Sequence, residues 1–94
     1  MTDPSTIVDE VRRAIDEADT ILLKALAARF RAVRHLRTVK KVSGMPVEDV
    51  ARERAMKESW KEQAKALQIS PELALLMLDF ILTESKKIQG SQDL

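Results

Sequence analysis

Apolar residues recur at helical spacing along nearly the whole chain. The first stripe is preceded by Asp3 and Pro4, an N-cap-like residue followed by proline in the first turn of a helix. No glycine or further proline follows until the segment SGMP at residues 43–46. The spacing therefore predicts one very long helix that begins just after this pair and ends near the SGMP segment. Its apolar stripe comprises Val8, Val11, Ile15, Ala18, Leu22 and Leu26.

Two shorter helices are predicted after this break. The second runs from about Val47 or Asp49 to Leu67. The sequence SPEL at residues 70–73 then offers serine as an N-cap and proline at the first helical position. The third helix continues from this proline to about Gln89 and ends before the next glycine.

The length of the first helix bears on assembly. About 37 residues at ~1.5 Å per residue span roughly 55 Å, whereas a compact domain of this size is only about 30 Å across. Two shorter helices cannot cover such a stripe, so we expect a second copy to do so. We predict an all-α single domain over residues 1–94, with flexible ends at 1–5 and 91–94, in an intertwined (domain-swapped) homodimer. The alternative is a break near Thr20, which would give a monomeric four-helix arrangement.

Composition narrows the classes of function. The chain has no cysteine and one histidine, which excludes disulfides and multi-histidine metal sites. No apolar run approaches the roughly 20 residues of a membrane span, and MTDPST lacks the features of a signal peptide. We expect a cytoplasmic protein without a membrane partner. From Lys24 to Lys41 there are seven Lys or Arg residues and no acid, which favours an anionic partner.

Each predicted helix carries polar residues on its own apolar stripe, near one end. The short turn between the second and third helices makes them antiparallel, so these polar ends should meet. Taken singly, each residue has a plain structural explanation, such as a surface ion pair or a helix-end charge. Taken together, they predict a binding site, because buried charge is costly unless it is paired or ligand-bound. The residues expected to converge are Arg29, Lys40, Asp49, Arg52, Glu53, Ser85 and Gln89.

This set of side chains suits a small dianion. It offers cations, an amide, a hydroxyl and carboxylates, but no catalytic triad and no credible metal cage. Arginine binds carboxylates through its planar fork. Lysine and glutamine can donate to an oxygen that becomes more negative in a transition state. A catalytic version of this site would act by orientation and charge stabilisation.

The pattern resembles a known family, the all-helical chorismate mutases with three helices per chain and a domain-swapped dimer. The resemblance covers about residues 8–90 and rests on RRAIDEAD, LAARF, Lys40, PVEDVARERA and TESKKIQ. It implies an isomerase that rearranges chorismate to prephenate in phenylalanine and tyrosine biosynthesis. That reaction is an intramolecular Claisen rearrangement, and the family needs no cofactor and no metal.

The resemblance also implies a role for each site residue. Arg12 matches an arginine that reaches into the partner chain's site; it lies 17 residues before Arg29, or ~25 Å along the helix, too far to join it within one chain. Catalytic contacts are implied for Arg29 with a carboxylate, for Lys40 with the ether oxygen and a carboxylate, and for Gln89 with the ether oxygen. Other substrate contacts are implied for Asp49, Arg52 and Glu53 around the ring hydroxyl, and for Ser85 with a carboxylate.

Two positions depart from the family pattern. Phe30 and Lys86 stand where a polar and an apolar residue, respectively, are expected. The alternatives are an isochorismate-pyruvate lyase of the same fold, which Glu53 within RERA disfavours, and a non-enzymatic helical dimer. The latter would bind nucleic acid or protein through the basic face of residues 31–41, whereas a mutase needs no nucleic-acid partner. A mutase activated by a protein docking near the tail is a third possibility.

Overall fold

The computed structural model describes residues 3–46 and 49–90, which form three helices. They are α1 (Pro4–Ser43), α2 (Val50–Ala66) and α3 (Pro71–Gly90). The described residues contain no strand, so the predicted all-α class with a very long first helix is confirmed. α1 continues through Thr20, whose hydroxyl donates a hydrogen bond to the Asp16 carbonyl at 3.1 Å. The alternative of a break at that residue is therefore not supported.

Side-chain caps fix the N-termini of all three helices. The Asp3 carboxylate accepts the backbone N–H of Ser5 at 3.1 Å, and the Asp49 carboxylate accepts that of Arg52 at 2.9 Å. Ser70 accepts the N–H of Leu73 at 3.2 Å. Each cap satisfies a donor that has no partner within its own helix. The possible start of the second helix at residue 47 lies outside the described residues. Of the ends predicted to be flexible, 1–5 and 91–94, residues 1–2 and 91–94 also lie outside them, whereas residues 3–5 form the capped start of α1.

Both turns contain a residue in the left-handed region. Gly44 has a φ of 73°, and the N–H of Met45 closes α1 by donating to the Lys40 carbonyl at 2.9 Å. Gln68 has a φ of 59°, and the N–H of Ile69 donates to the Ala64 carbonyl at 2.8 Å. Both are Schellman-type ends, for which glycine is the usual residue.

The chain divides into two compact units, Met1–Ala32 and Val33–Leu94. From Pro4 onward the first unit is a single stretch of α1, and none of its described residues is buried. Seven of its large apolar side chains are 44–68% exposed, whereas Leu26 and Phe30 are half-buried. An apolar stripe on one helix has nothing within that unit to pack against. The exposed large apolar side chains of this unit, on and beside the stripe, are Ile7, Val8, Val11, Ile15, Ile21, Leu22 and Leu23.

The second unit contains the end of α1 together with the α2–α3 pair. Contacts between the start of α2 and the end of α3 show that these helices run antiparallel, as predicted from the short turn between them. The core lies mainly on α3, where Leu78 has no exposed surface. No helix among the described residues is long and apolar enough to cross a membrane. The buried side chains are Val33, Ala64, Ala74, Leu78, Ile81, Leu82 and Ser85.

Candidate active site

Two of the predicted site residues meet directly at the end of the second unit. Lys40 lies in the last turn of α1, and its Nζ donates a hydrogen bond to Gln89 Oε1 at 3.1 Å. Both side chains are half-buried. An ammonium group can only donate, so the oxygen of the amide must face it. The Nε2 group of Gln89 is therefore not the atom that contacts Lys40, and its two N–H bonds can serve a ligand.

A second contact joins α2 to α3 beside this pair. Glu53, in the first turn of α2, accepts from Lys86, with Nζ and Oε1 2.9 Å apart. The Glu53 side chain is 23% exposed and that of Lys86 41%. Lys86 and Gln89 are three residues apart on one helix, so their side chains are neighbours on its surface. The predicted residues Lys40, Glu53 and Gln89 are thus brought to one end of the unit.

Ser85 lies on the same side of α3, four residues before Gln89. It is only 4% exposed, and its hydroxyl donates to the Ile81 carbonyl at 2.7 Å. This bond within the helix uses the hydroxyl hydrogen. Toward a carboxylate ligand, Ser85 would have to redirect that hydrogen, so its predicted contact competes with an existing one.

In the structure, Asp49 and Arg52 form the capped N-terminus of α2. The Asp49 carboxylate caps α2 by accepting the Arg52 N–H, and both residues are exposed. A cap of this kind holds the first turn of α2, which carries Glu53. Arg12 and Arg29 belong to the first unit, where Arg12 is exposed and Arg29 half-buried. Their predicted contacts with a substrate therefore stay predictions.

Lys86 contacts a site residue although neither helical spacing nor the family resemblance predicts it there. Its position on an otherwise apolar part of the pattern marked it only as a departure from the family. The sequence signal that could have indicated its role is its position on α3 between the predicted site residues Ser85 and Gln89. Among the described residues, no group of three or more His, Cys, Asp or Glu side chains could hold a metal ion.

Comparisons with known proteins agree with this architecture. The family model for chorismate mutase type II matches residues 11–90, a range that includes every predicted site residue. A chorismate mutase of Methanocaldococcus jannaschii is 24% identical over 80 residues, which is 85% of this chain and 81% of the relative. No solved structure matches the sequence significantly.

The family match spans most of the chain, and both comparisons name the same enzyme. The lyase and the non-enzymatic binding protein are accordingly not favoured. The predicted resemblance and the predicted enzyme class are confirmed: the chain is an isomerase that belongs to the chorismate mutase type II family.

Proposed function

We propose that this chorismate mutase rearranges chorismate to prephenate at the end of the second unit, with Lys40 and Gln89 acting on the ether oxygen. The observation that carries the proposal is the hydrogen bond between these two side chains. It places an ammonium group and an oriented amide side by side. Both can donate to one oxygen, and neither needs to change its protonation state during the reaction.

The chemistry follows from where charge develops. In the rearrangement the ether C–O bond breaks while a C–C bond forms within the same molecule, so no covalent enzyme intermediate is required. Negative charge grows on the ether oxygen as its bond lengthens. Donors fixed in advance at that oxygen stabilise the transition state more than the ground state. The amide is held by Lys40, so little reorganisation is needed at the moment of reaction.

The remaining side chains would restrain the substrate. A flexible dicarboxylate must adopt a compact, chair-like shape before its ends can react, and anchoring both carboxylates removes much of that entropic cost. Arg29 would hold one carboxylate, a role that rests on its place in the predicted stripe. Glu53 would accept from the ring hydroxyl, while Asp49 and Arg52 order the turn that presents it. Ser85 would contact a carboxylate.

A second copy of the chain would complete the site. The first unit exposes seven large apolar side chains along α1, and a helix with such a stripe needs a partner surface. Arg12 lies within this exposed stretch. In an intertwined homodimer, α1 of one chain would cover α1 of the other and bring Arg12 to the partner's substrate.

The test is to measure chorismate loss and prephenate formation with purified protein and two alanine variants. Lys40→Ala and Gln89→Ala should each reduce kcat/KM by about 100- to 1,000-fold, the usual effect of removing one donor at a developing negative charge. Lys41→Ala and Gln63→Ala are matched controls at exposed positions and should keep wild-type rates. Equal losses in variants and controls, or pyruvate release from isochorismate as the faster reaction, would contradict the proposal.

A further inference from the structure

We propose that Lys86 is a positioning residue that holds the Glu53 carboxylate in place for the substrate hydroxyl. Its Nζ lies 2.9 Å from Glu53 Oε1, which leaves both lone pairs of the second carboxylate oxygen, Oε2, available to the substrate hydroxyl as far as Lys86 is concerned. The inference rests on the role proposed above for Glu53 and adds a residue that this role does not require. The ammonium group would fix one rotamer of a side chain that otherwise has three rotatable bonds.

The location of this ion pair separates it from other pairs on the surface. Lys61–Glu58, Lys65–Glu62 and Lys87–Glu84 each join residues three apart on one helix. The Lys86–Glu53 pair instead joins the first turn of α2 to the last turns of α3. It therefore fixes the two helix ends that carry Glu53 and Gln89.

The exposure of the pair argues for a role in positioning rather than in stability. Lys86 is 41% exposed, and ion pairs at such positions contribute little to folding because water screens them. The same contact can still orient the carboxylate, since Glu53 itself is only 23% exposed. Removing Lys86 should consequently change catalysis while leaving thermal unfolding almost unchanged.

A double-mutant cycle on the full-length protein tests the inference. Lys86→Met keeps the length and apolar stem of the side chain but removes its charge, and should lower kcat by about 10-fold, the lower end for loss of an orienting partner. In the Glu53→Gln background the same change should have no further effect. Lys86→Arg should restore most of the activity, because its guanidinium can still donate to Oε1. Lys87→Met, an exposed neighbour paired only along α3, is the matched control.

The cycle also separates this inference from the proposed function. Wild-type protein without mutase activity, or Glu53→Gln with full activity, would remove the proposed role of Glu53 and the inference with it. If Glu53→Gln is impaired but Lys86→Met only raises KM, equally in both backgrounds, Lys86 attracts the anionic substrate and the positioning role is wrong. Should Lys86→Met not fold, Lys86→Gln carries the same expectations.

Discussion

At the scale of single residues, the hydrogen bond from Lys40 to Gln89 decides what the amide can do. The Lys40 Nζ donates a hydrogen bond to Gln89 Oε1 at 3.1 Å. The Nε2 group of Gln89 is then the part of the amide that can donate to a substrate. An amide does not titrate, so this donor is present at every physiological pH. A carboxylate at the same position would have two acceptors and no donor unless it were protonated.

Gln89→Glu should therefore shift activity toward low pH. At neutral pH the new carboxylate is ionised, a form that the Lys40 ammonium favours, and kcat/KM should fall by about 100-fold or more. As the pH falls toward the ordinary glutamate pKa of about 4.3 and below it, protonation restores a donor. The ratio of variant to wild-type kcat/KM should rise accordingly, and measuring the ratio cancels titrations that both proteins share. Gln63→Glu, at an exposed position on α2, adds the same charge and is the control. Neutral-pH activity equal to wild type in Gln89→Glu would refute the role of Gln89 as a donor to the ether oxygen.

At the scale of the helices, the two turns place different residues in the left-handed region. Gly44 adopts its left-handed φ at no steric cost, and a Cβ built there would meet nothing within 4 Å. Gln68 adopts a similar φ with a side chain attached. The left-handed region costs an L-residue roughly 1–2 kcal/mol, part of which glycine returns through the greater freedom of its unfolded chain.

Gln68→Gly should thus stabilise the protein by about 0.5–1 kcal/mol, and Gly44→Ala should destabilise it by about 1 kcal/mol. Urea unfolding at a fixed protein concentration measures both changes. Gln68→Ala removes the same side chain without relieving the backbone, so it should bring no gain. A stabilisation by alanine equal to that by glycine would locate the effect in the glutamine side chain instead.

The ends of the helices show which structural features the sequence predicts and which it does not. Pro4, the SGMP segment and the Ser70–Pro71 pair mark helix ends by local chemistry, and the structure has ends at these places. The left-handed Gln68 gives no such local signal, because glutamine has no special preference for that region. The sequence does not predict the Lys86–Glu53 pair, for a different reason. Periodicity tells which face of a helix a residue shares, but not which polar groups meet across two helices.

At the scale of the whole molecule, the exposed apolar stripe on α1 and the family resemblance both favour the proposed intertwined homodimer. Val11 and Ile15, four residues apart on this stripe, are each 53% exposed in the single chain, and exposed apolar surface of this kind marks an interaction site. If two copies cover each other's stripes, the pairing is symmetric and makes two equivalent sites. Each site would then take Arg12 from one chain and Lys40 from the other.

Mixing two inactive variants tests this arrangement. Arg12→Ala and Lys40→Ala should each be nearly inactive as homodimers, yet a heterodimer of the two contains one site with both residues intact. Random re-pairing of equal amounts makes about half of the dimers mixed, with one of two sites restored, so refolding together should recover about one quarter of wild-type activity. Lys40→Ala mixed with Gln89→Ala is the control, because these residues contact each other within one chain and no mixed dimer regains a complete site. Absence of recovery in the first mixture would mean that each site is built from a single chain. Equal recovery in both mixtures would mean that the gain does not come from combining Arg12 of one chain with Lys40 of the other.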